Sequence, residues 1–290
     1  MRAGQRQRYA ERIERVIAHL EERTADQEAP RLDELASIAA LSPFHFHRVY
    51  RLMTGESVGE TVRRIRLARS IPNLASSAPI TAAAGQSGYS SSQSFTRALK
   101  QQAGLTPTRA RGDGEKMMSL ASRLLSPTAA TGCSPPLSVE VVSLEPFRLL
   151  AIRNVGDYAE LDRGFTRLFE LVLEQVEQED LLGIYGVAHD DPRFVPADEC
   201  KFDCALSVGG KGKASGELTE LTLGQGVFAR TRHVGDYDAI QESIDALYAH
   251  VLERADREIG SAPLFIHYLD DPEETAVEDL RSDIYLPLEP

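Results

Sequence analysis

The chain has 290 residues, of which 42% are hydrophobic and 26% are charged, and its formal net charge is −12. This length is sufficient for two domains, each with its own core. The sequence contains no run of 18 apolar residues, which excludes a membrane-spanning helix, and its basic N-terminus lacks the apolar segment of a signal peptide. We therefore expect a cytoplasmic protein without a membrane partner.

The charge is distributed unevenly along the chain. Residues 1–112 contain 17 Lys and Arg against 10 Asp and Glu, which gives a net charge of about +7. Residues 113–290 contain 15 against 34, a net charge of about −19. This asymmetry indicates a nucleic-acid-binding domain joined to a domain with another role. An acidic enzyme with a basic N-terminal part is the alternative that charge alone leaves open.

Cysteine usage gives little indication of a special site. The three cysteines, Cys133, Cys200 and Cys204, cannot all pair within the chain, and their scarcity fits a reducing compartment. Cys200 and Cys204 are spaced C-x3-C, but no histidine close in sequence completes a metal set. We predict buried thiols on a strand, with no metal and no cofactor.

Two stretches of the basic part, 49 residues apart, carry the same pattern. In each, Ser precedes a short basic segment and Gly follows it, as expected for the N-cap and the C-terminal end of a helix. The matched residues are Phe46 and Phe95, Arg48 and Arg97, Arg51 and Lys100, and Gly55 and Gly104. One basic helix present twice suggests two elements that read DNA.

The surrounding periodicity completes the pattern of helices. Residues 9–23 have apolar side chains at helical spacing, and a short helix begins at Leu32 and turns into the helix opened by Ser42. A longer helix follows, and then residues 80–85 and 91–103 repeat the short helix and the basic helix. A helix, a tight turn and a basic helix are typical of a helix-turn-helix, whose second helix enters the major groove.

The outward-facing side chains of the two basic helices are the candidate contacts to double-stranded DNA. Arg pairs with guanine and Gln with adenine, whereas Ser, Thr and Lys more often bind phosphates. The alternative for any single helix is a solvated charged face. The candidates are Phe44, His47, Arg48 and Arg51 in the first helix and Ser92, Gln93, Thr96, Arg97 and Lys100 in the second.

Residues 9–111 resemble the DNA-binding domain of AraC/XylS-type transcriptional regulators. The matching residues include Leu35, Ala36, Ser42, His45, Phe46, Arg48, Gly55, Arg64, Ile65, Arg66, Leu67, Ala68, Ile80, Ala83, Ala84, Gly88, Tyr89, Ser94, Phe95, Arg97, Lys100, Gly104, Pro107 and Arg111. The resemblance implies two helix-turn-helix units joined by a rigid helix and placed in successive major grooves. Pro72 departs from the pattern, so that helix is expected to be shorter or the two units to be set at an altered angle.

The acidic part is also duplicated. Val155-Gly156-Asp157-Tyr158 recurs 79 residues later as Val234-Gly235-Asp236-Tyr237, and each copy precedes a helical pattern. An Asp-Asp-Pro sequence then follows at residues 190–192 and 270–272, and each is followed by an apolar strand pattern. We predict a strand-helix-strand-strand unit that occurs twice, with a groove between the two sheets that binds a small molecule.

Residues 137–290 resemble the GyrI-like effector-binding fold. Many members carry Glu in a Phe-Glu-x-Tyr pattern that faces lipophilic cations, and Ile266 stands at that position here. The predicted groove residues are Ile266, Tyr268, Asp283, Tyr285, Tyr158 and Tyr237. They suit a neutral or weakly cationic aromatic ligand. For Tyr158 and Tyr237, core packing is the alternative; the Asp-Asp-Pro segments are read as turns, and His189 and His267 are expected to pack or to face solvent.

The sequence therefore predicts a multidomain protein: an all-α double helix-turn-helix DNA-binding domain at 1–112, a linker at 113–136 with a short helix from Met117 to Leu125, and an α+β GyrI-like domain at 137–290. The predicted function is a ligand-responsive DNA-binding transcription regulator. Its expected partners are double-stranded DNA, a small-molecule effector and RNA polymerase. We predict no catalytic residues; a GyrI-like small-molecule hydrolase and a drug-sequestering protein remain the alternatives.

Overall fold

The chain divides into a mostly helical unit and a unit built on a β-sheet. The computed structural model describes residues 3–23, 30–75, 79–104, 106–110, 114–125, 138–193 and 195–290. A sheet unit comprises residues 1–9, 41–49 and 132–290, and a helical unit comprises residues 10–40 and 50–131. Among the residues described, no helix is both long enough and apolar enough to cross a membrane.

Eight helices precede the sheet. They are α1 (Ala3–Glu22), α2 (Leu32–Ile38), α3 (Pro43–Thr54), α4 (Val58–Ala75), α5 (Ile80–Gln86), α6 (Ser92–Ala103), α7 (Pro107–Ala110) and α8 (Gly114–Leu125) in the described part of the chain. The helix-turn-helix order predicted from the sequence is confirmed, because α2 and α3 form one pair and α5 and α6 form the other. Gly55 and Gly104 follow the two basic helices with φ angles of +76° and +67°, which glycine adopts without strain.

The core of the helical unit includes the helix that follows the second pair. Leu67, Ile71 and Leu74 of α4 pack with Phe95 and Leu99 of α6, and two leucines of α8, Leu120 and Leu124, belong to the same cluster. The segment predicted as a linker therefore contains a helix that contributes to this core. Residues 126–137, including Cys133, lie outside the described residues.

Pro72 lies inside α4, which continues to Ala75. The helix is therefore not shortened before Pro72. Pro has no backbone N–H and so removes one hydrogen bond of the helix.

The sheet unit contains one antiparallel sheet of eight strands. The strands are β1 (Val139–Leu144), β2 (Phe147–Val155), β3 (Gly183–Ala188), β4 (Lys201–Ser207), β5 (Thr219–Leu223), β6 (Gly226–Val234), β7 (Leu264–Tyr268) and β8 (Arg281–Leu288). Helix α9 (Leu161–Leu173) follows β2, and helix α10 (Ile240–Arg254) follows β6. The strand order is β1-β6-β8-β7-β3-β4-β2-β5.

This order confirms the predicted duplication and adds one strand to each repeat. Exchanging β1 with β5, β2 with β6, β3 with β7 and β4 with β8 gives the same order reversed, as a twofold relation requires. The repeat is therefore strand-strand-helix-strand-strand. Each added strand pairs with the other repeat, β1 with β6 and β5 with β2. The sequence prediction missed these two strands because they have only six and five residues and none of their side chains is fully buried.

The two faces of the sheet differ. One face packs against α9 through Leu150, Phe202 and Leu206, which lie in one cluster with Leu168 and Val172 of the helix. The other, which we call the aromatic face, carries Phe147, Tyr185, Val187, Phe228, Phe265 and Tyr285. Side chains alternate between the faces along each strand, so one register fixes the face of every residue.

The twofold axis passes between two residues that differ greatly in size. Gly186 of β3 pairs directly with its counterpart Ile266 of β7. A Cβ atom on Gly186 would lie 2.3 Å from Cζ of Phe202, whereas Ser282 occupies the position equivalent to Phe202 in the second repeat. The first repeat therefore combines a small residue on β3, Gly186, with a large one on β4, Phe202. The second repeat combines a large residue on β7, Ile266, with a small one on β8, Ser282.

Candidate effector face and DNA-reading helices

Helix α6 presents its polar side to solvent. The Ser91 side chain caps the helix by accepting a hydrogen bond from the Ser94 amide, and the Ser94 side chain completes a capping box. Gln93, Arg97 and Lys100 are exposed, whereas Ser92 and Thr96 are half-buried. The Thr96 hydroxyl donates to the Ser92 carbonyl oxygen at 2.7 Å. Three of the five residues predicted to contact DNA from this helix are therefore exposed.

The first basic helix differs from the second at the matched arginine. Phe44 is 39% exposed, and His47 and Arg51 are half-buried. Arg48 is only 6% exposed, although its counterpart Arg97 is exposed. Residues 43–49 of α3 belong to the sheet unit.

Arg48 is enclosed by four side chains of the sheet unit, which we call the arginine cage: Asp191, Gln241, Asp245 and Tyr248. Its Nη2 atom lies 3.0 Å from Asp191 Oδ2 and 2.8 Å from Gln241 Oε1, and its Nη1 atom donates to Asp245 Oδ1. The Tyr248 ring centroid is 5.5 Å from the guanidinium carbon. The cage therefore provides both carboxylate acceptors and an aromatic surface for the arginine.

A second arginine holds the two carboxylates of the cage together. Arg193 donates to Asp191 at 2.6 Å and to Asp245 at 2.7 Å. Burial opposes ionisation of Asp191 most strongly, but hydrogen bonds from Arg193 and the charge of Arg48 together leave the pKa of this carboxyl below its usual value. The four charges therefore compensate one another in a poorly solvated place.

His45, one turn before Arg48, is also fully enclosed. Its Nδ1 atom lies 2.5 Å from the Tyr248 hydroxyl oxygen, and its Nε2 atom lies 2.8 Å from the Ala262 carbonyl oxygen. Burial lowers the pKa of His45 to about 4; the Ala262 carbonyl opposes this shift, and the charge of Arg48 adds to it. The imidazole is therefore neutral at neutral pH.

The strand register separates the four predicted groove residues of β7 and β8. Tyr285 pairs with Phe265 and Asp283 with His267, and these residues lie on the aromatic face. Ile266 and Tyr268 alternate with them and lie on the helix-covered face, where Ile266 is 2% exposed. The expectation that all four line one groove is therefore wrong. Both faces are apolar here, so alternation alone did not show which one the helices cover.

The two predicted groove tyrosines that precede the helices are equivalent, but they pack at turns. The Tyr158 hydroxyl donates to carbonyl oxygens of Asp190 and Lys201, at 3.0 and 2.7 Å. The Tyr237 hydroxyl donates to the Asp270 carbonyl oxygen at 3.2 Å. Their rings contact Phe202 and Tyr268, which lie on the helix-covered face. These contacts favour the core-packing alternative.

The aromatic face combines stacked rings along its centre. Tyr185 stacks on His267 with ring centroids 4.4 Å apart, and Phe265 stacks on Tyr285 at 4.6 Å. Phe147 approaches Tyr185 at 5.2 Å. Burial lowers the pKa of His267, and the nearby charges of Asp283 and Arg232 act on it in opposite directions. Phe265 and Tyr285 are buried, whereas Tyr185 and His267 are half-buried, so the latter two are the neutral rings that can stack with a flat ligand.

Two equivalent ion pairs flank the rings. Arg153 binds Asp203 at 2.6 and 2.9 Å, and Arg232 binds Asp283 at the same two distances. His189 Nε2 lies 2.7 Å from Asp203. Burial opposes ionisation of Asp203, but its hydrogen bonds to Arg153 and His189 hold its pKa below the usual value.

Comparison with known families agrees with this architecture. A model of the GyrI-like small molecule binding domain matches residues 137–289, which is more than half of the chain. The chain belongs to the GyrI-like family. A helix-turn-helix model matches residues 35–113, and this domain is of the AraC type.

Curated relatives share parts of the chain. The probable transcriptional regulator YgiV of Escherichia coli is 32% identical over 110 residues, which cover 36% of this chain and 66% of the relative. The transcriptional regulator Rob of Salmonella typhimurium is 32% identical over 146 residues, which cover 50% of this chain and 45% of the relative. The chain thus spans less than two thirds of the length of each of these relatives.

One solved structure illustrates how distant the structural matches are. An EcmrR–DNA complex determined by cryo-EM is 13% identical, covers 53% of this chain and 57% of its own, and has a TM-score of 0.44.

Sequence reasoning missed several side chains of the GyrI-like domain that the structure brings together. Arg153 and Asp203 recur as Arg232 and Asp283, at offsets of 79 and 80 residues, so the duplication could have indicated the paired charges. The Asp-Asp-Pro segments are turns, as predicted, but Asp191 also binds Arg48. That contact joins residues 143 positions apart, and no local pattern indicates it. Cys200 and Cys204 are buried, as predicted, but only Cys204 lies on a strand, because Cys200 directly precedes β4.

Proposed function

We propose that this protein is a ligand-responsive transcription regulator that binds DNA through α3 and α6 and a small molecule at the aromatic face. The observation that carries the proposal is the presence, in one chain, of two matched helix-turn-helix pairs and a ring-lined sheet face of the GyrI-like family. A regulator needs both a site for DNA and a site for a signal, and each has a structural counterpart here.

For DNA, the accessible side chains of α6 support sequence-specific binding. Arg97 can donate two hydrogen bonds to guanine, and Gln93 can pair with adenine. Lys100 suits a phosphate contact, and the basic balance of residues 1–112 supports electrostatic attraction to the duplex. RNA polymerase is the proposed protein partner, because a regulator must act on transcription.

For the effector, the paired charges favour a neutral flat aromatic compound. Asp203 and Asp283 each bind an arginine at two atoms, and Glu140 binds Arg230 at 2.5 Å. A cation would have to compete with these arginines for each carboxylate, at the cost of leaving a charge unpaired. Stacking against Tyr185 and His267 requires no charge on the ligand.

The same ion pairs disfavour a hydrolase. General acid–base catalysis needs a carboxyl group that can exchange a proton near neutral pH. Asp203 is held ionised by Arg153 and His189, so its proton affinity is too low for that role. A protein that only sequesters a drug would need no accessible Arg97 or Lys100 in α6.

Two experiments test the proposal on the full chain. Selection from a random DNA pool should enrich a bipartite sequence with arms about one helical turn apart. Thermal-shift screening with matched neutral and cationic dyes should show larger stabilisation by neutral dyes. Failure of the selection to enrich any sequence would contradict DNA binding, and a uniform preference for cationic dyes would contradict the proposed ligand class.

Two substitutions to Glu test which face of the sheet binds the effector. His267→Glu adds a carboxylate to the aromatic face and should shift the preference toward cationic dyes. Ile266→Glu introduces the acid found in many family members, but here on the helix-covered face, and it should destabilise the fold by about 4 kcal/mol. If Ile266→Glu instead folds normally and gains affinity for cations, the effector face is assigned to the wrong side of the sheet.

A further inference from the structure

The buried state of Arg48 has a consequence for DNA binding. We propose that the arginine cage competes with DNA for Arg48, so that α3 reads DNA only after this side chain leaves the cage. The inference rests on the proposed function, in which α3 binds DNA, and on Arg48 being the base contact in α3 that matches Arg97 in α6. It adds a regulated step to that function, because Arg97 in the second basic helix is exposed and needs no such release.

The cage provides the same kind of acceptors as DNA. A guanidinium reads guanine by donating from its terminal nitrogens to two acceptor atoms. In the cage, Nη1 of Arg48 donates to Asp245 and Nη2 donates to Gln241 while lying 3.0 Å from Asp191. Both terminal nitrogens are engaged, so the cage and a base cannot hold this arginine at the same time.

The fold itself does not require Asp245, the second acid of the cage. The twofold relation of the sheet repeats places Asp271 at the position equivalent to Asp191, and Thr166 at the position equivalent to Asp245. Asp271 is exposed, and its carboxylate accepts a hydrogen bond from the Glu273 amide within the same turn. Among the residues that the structure describes, the duplicated position thus forms the same turn with one acid and no arginine ion pair. The second acid at Asp245 is therefore an addition that serves Arg48 and Arg193.

A short segment connects the cage to the aromatic face. His189 contacts Asp203 at 2.7 Å and Arg153 at 3.1 Å, at the edge of the proposed effector face. Two residues later, Asp191 contacts Arg48. The His189 ring also lies 5.5 Å from the ring of Phe44. An effector that binds against Arg153 and His189 therefore acts on the segment that positions a cage acid, which gives the two ligands a physical means of coupling.

The test compares Asp191→Asn and Asp245→Asn with matched controls in the full chain. Asp271→Asn changes the duplicated turn, and Glu242→Gln changes an exposed acid on α10. A DNA duplex is first selected from a random pool, in separate selections with the wild type and with the Asp191→Asn/Asp245→Asn double variant. Fluorescence anisotropy then measures the affinity of each variant for the selected duplex. Each cage variant should bind about tenfold more tightly than the wild type, and neither control should differ from it. The gain should be absent in an Arg48→Ala background.

The outcomes separate this inference from the proposed function. If selection enriches a sequence, and folded cage variants bind it no better than the wild type, the cage has only a structural role and the inference is overturned. A gain that persists with Arg48→Ala also overturns it, because the gain then reflects general loss of negative charge. If neither the wild type nor the double variant enriches any sequence, DNA binding itself is contradicted, and the proposed function fails together with the inference that rests on it. Circular dichroism of each variant, with two independent cage substitutions, guards against misreading an unfolded protein.

Discussion

The two basic helices, α3 and α6, share a sequence pattern but differ in what surrounds them. At matched positions, Arg48 is buried against carboxylates whereas Arg97 is exposed, and His45 is fully enclosed whereas Ser94 serves the cap of its own helix. The difference shows that a duplicated motif specifies the local helix but not its environment. The environment is set by residues far away in the chain, such as Asp191 and Asp245.

The largest expected difference between the two helices is in stability. Arg48→Ala removes one of the arginines that bind Asp191 and Asp245 while Arg193 stays bound to both, so we expect a loss of about 3 kcal/mol in the free energy of unfolding. Arg97→Ala removes an exposed side chain and should change it by less than about 0.5 kcal/mol. Urea unfolding measures both variants. Equal, small losses would show that the cage contributes little to the fold.

For DNA binding we expect the opposite ranking, in which Arg97, the arginine that matters less for stability, has the larger effect. Arg97→Ala should weaken binding to the selected site by about 1–3 kcal/mol and relax the base preference in one arm. Lys100→Ala, as a phosphate contact, should weaken specific and random DNA alike and reduce the salt dependence of the affinity. Anisotropy titrations at several salt concentrations distinguish the two. If Arg97→Ala lowers both affinities equally, Arg97 contacts phosphate rather than a base.

Acidic pH should lower the folding stability through His45, which lies in the first basic helix and has no titrating counterpart in the second. The unfolded chain takes up a proton at His45 near the ordinary pKa of 6.5, whereas the folded protein does so only near 4, so acidification favours the unfolded state. The contribution is complete above pH 6.5 and is lost as the pH falls toward 4. Tyr248 and Arg48 are the other titratable groups that face this ring.

The expected loss from His45 between pH 7 and pH 5 is about 2 kcal/mol. Urea unfolding of the wild type and of His45→Asn at both pH values isolates this contribution, because the variant lacks the titrating ring. Identical pH dependence in the two proteins would mean that His45 is not enclosed in solution.

The smallest effect concerns the turns that precede the two basic helices. Ala40 has a φ angle of +50°, whereas Gly88 in the second turn has a φ angle of +74°. A side chain is strained in this left-handed region, so Ala40→Gly should stabilise the protein by about 0.5–1 kcal/mol. The converse change, Gly88→Ala, should destabilise it by about 1 kcal/mol. Thermal unfolding measures the stability of both variants. If Ala40→Gly does not increase the stability, Ala40 is not strained.

Much of the architecture is encoded in local and repeated patterns. Helical spacing and end signals predicted α3 and α6, and the recurrence at Tyr158 and Tyr237 predicted the twofold sheet. Two kinds of information were missing from these patterns. The face of β7 that the helices cover depends on the packing of whole layers, so Ile266 and Tyr268 were placed in the groove wrongly. The partners of Arg48 depend on contacts between distant residues, which periodicity does not encode.

The exchange of first strands makes each half of the sheet incomplete by itself. In the described part of the chain, β1 pairs with β6 of the second repeat, and β5 pairs with β2 of the first repeat. A shorter protein with a single repeat would leave the edges of β2 and β3 without neighbours, and two copies of it could complete the same eight-stranded arrangement by trading their first strands. The tandem chain therefore has the topology of a strand-swapped homodimer whose two subunits have become covalently joined.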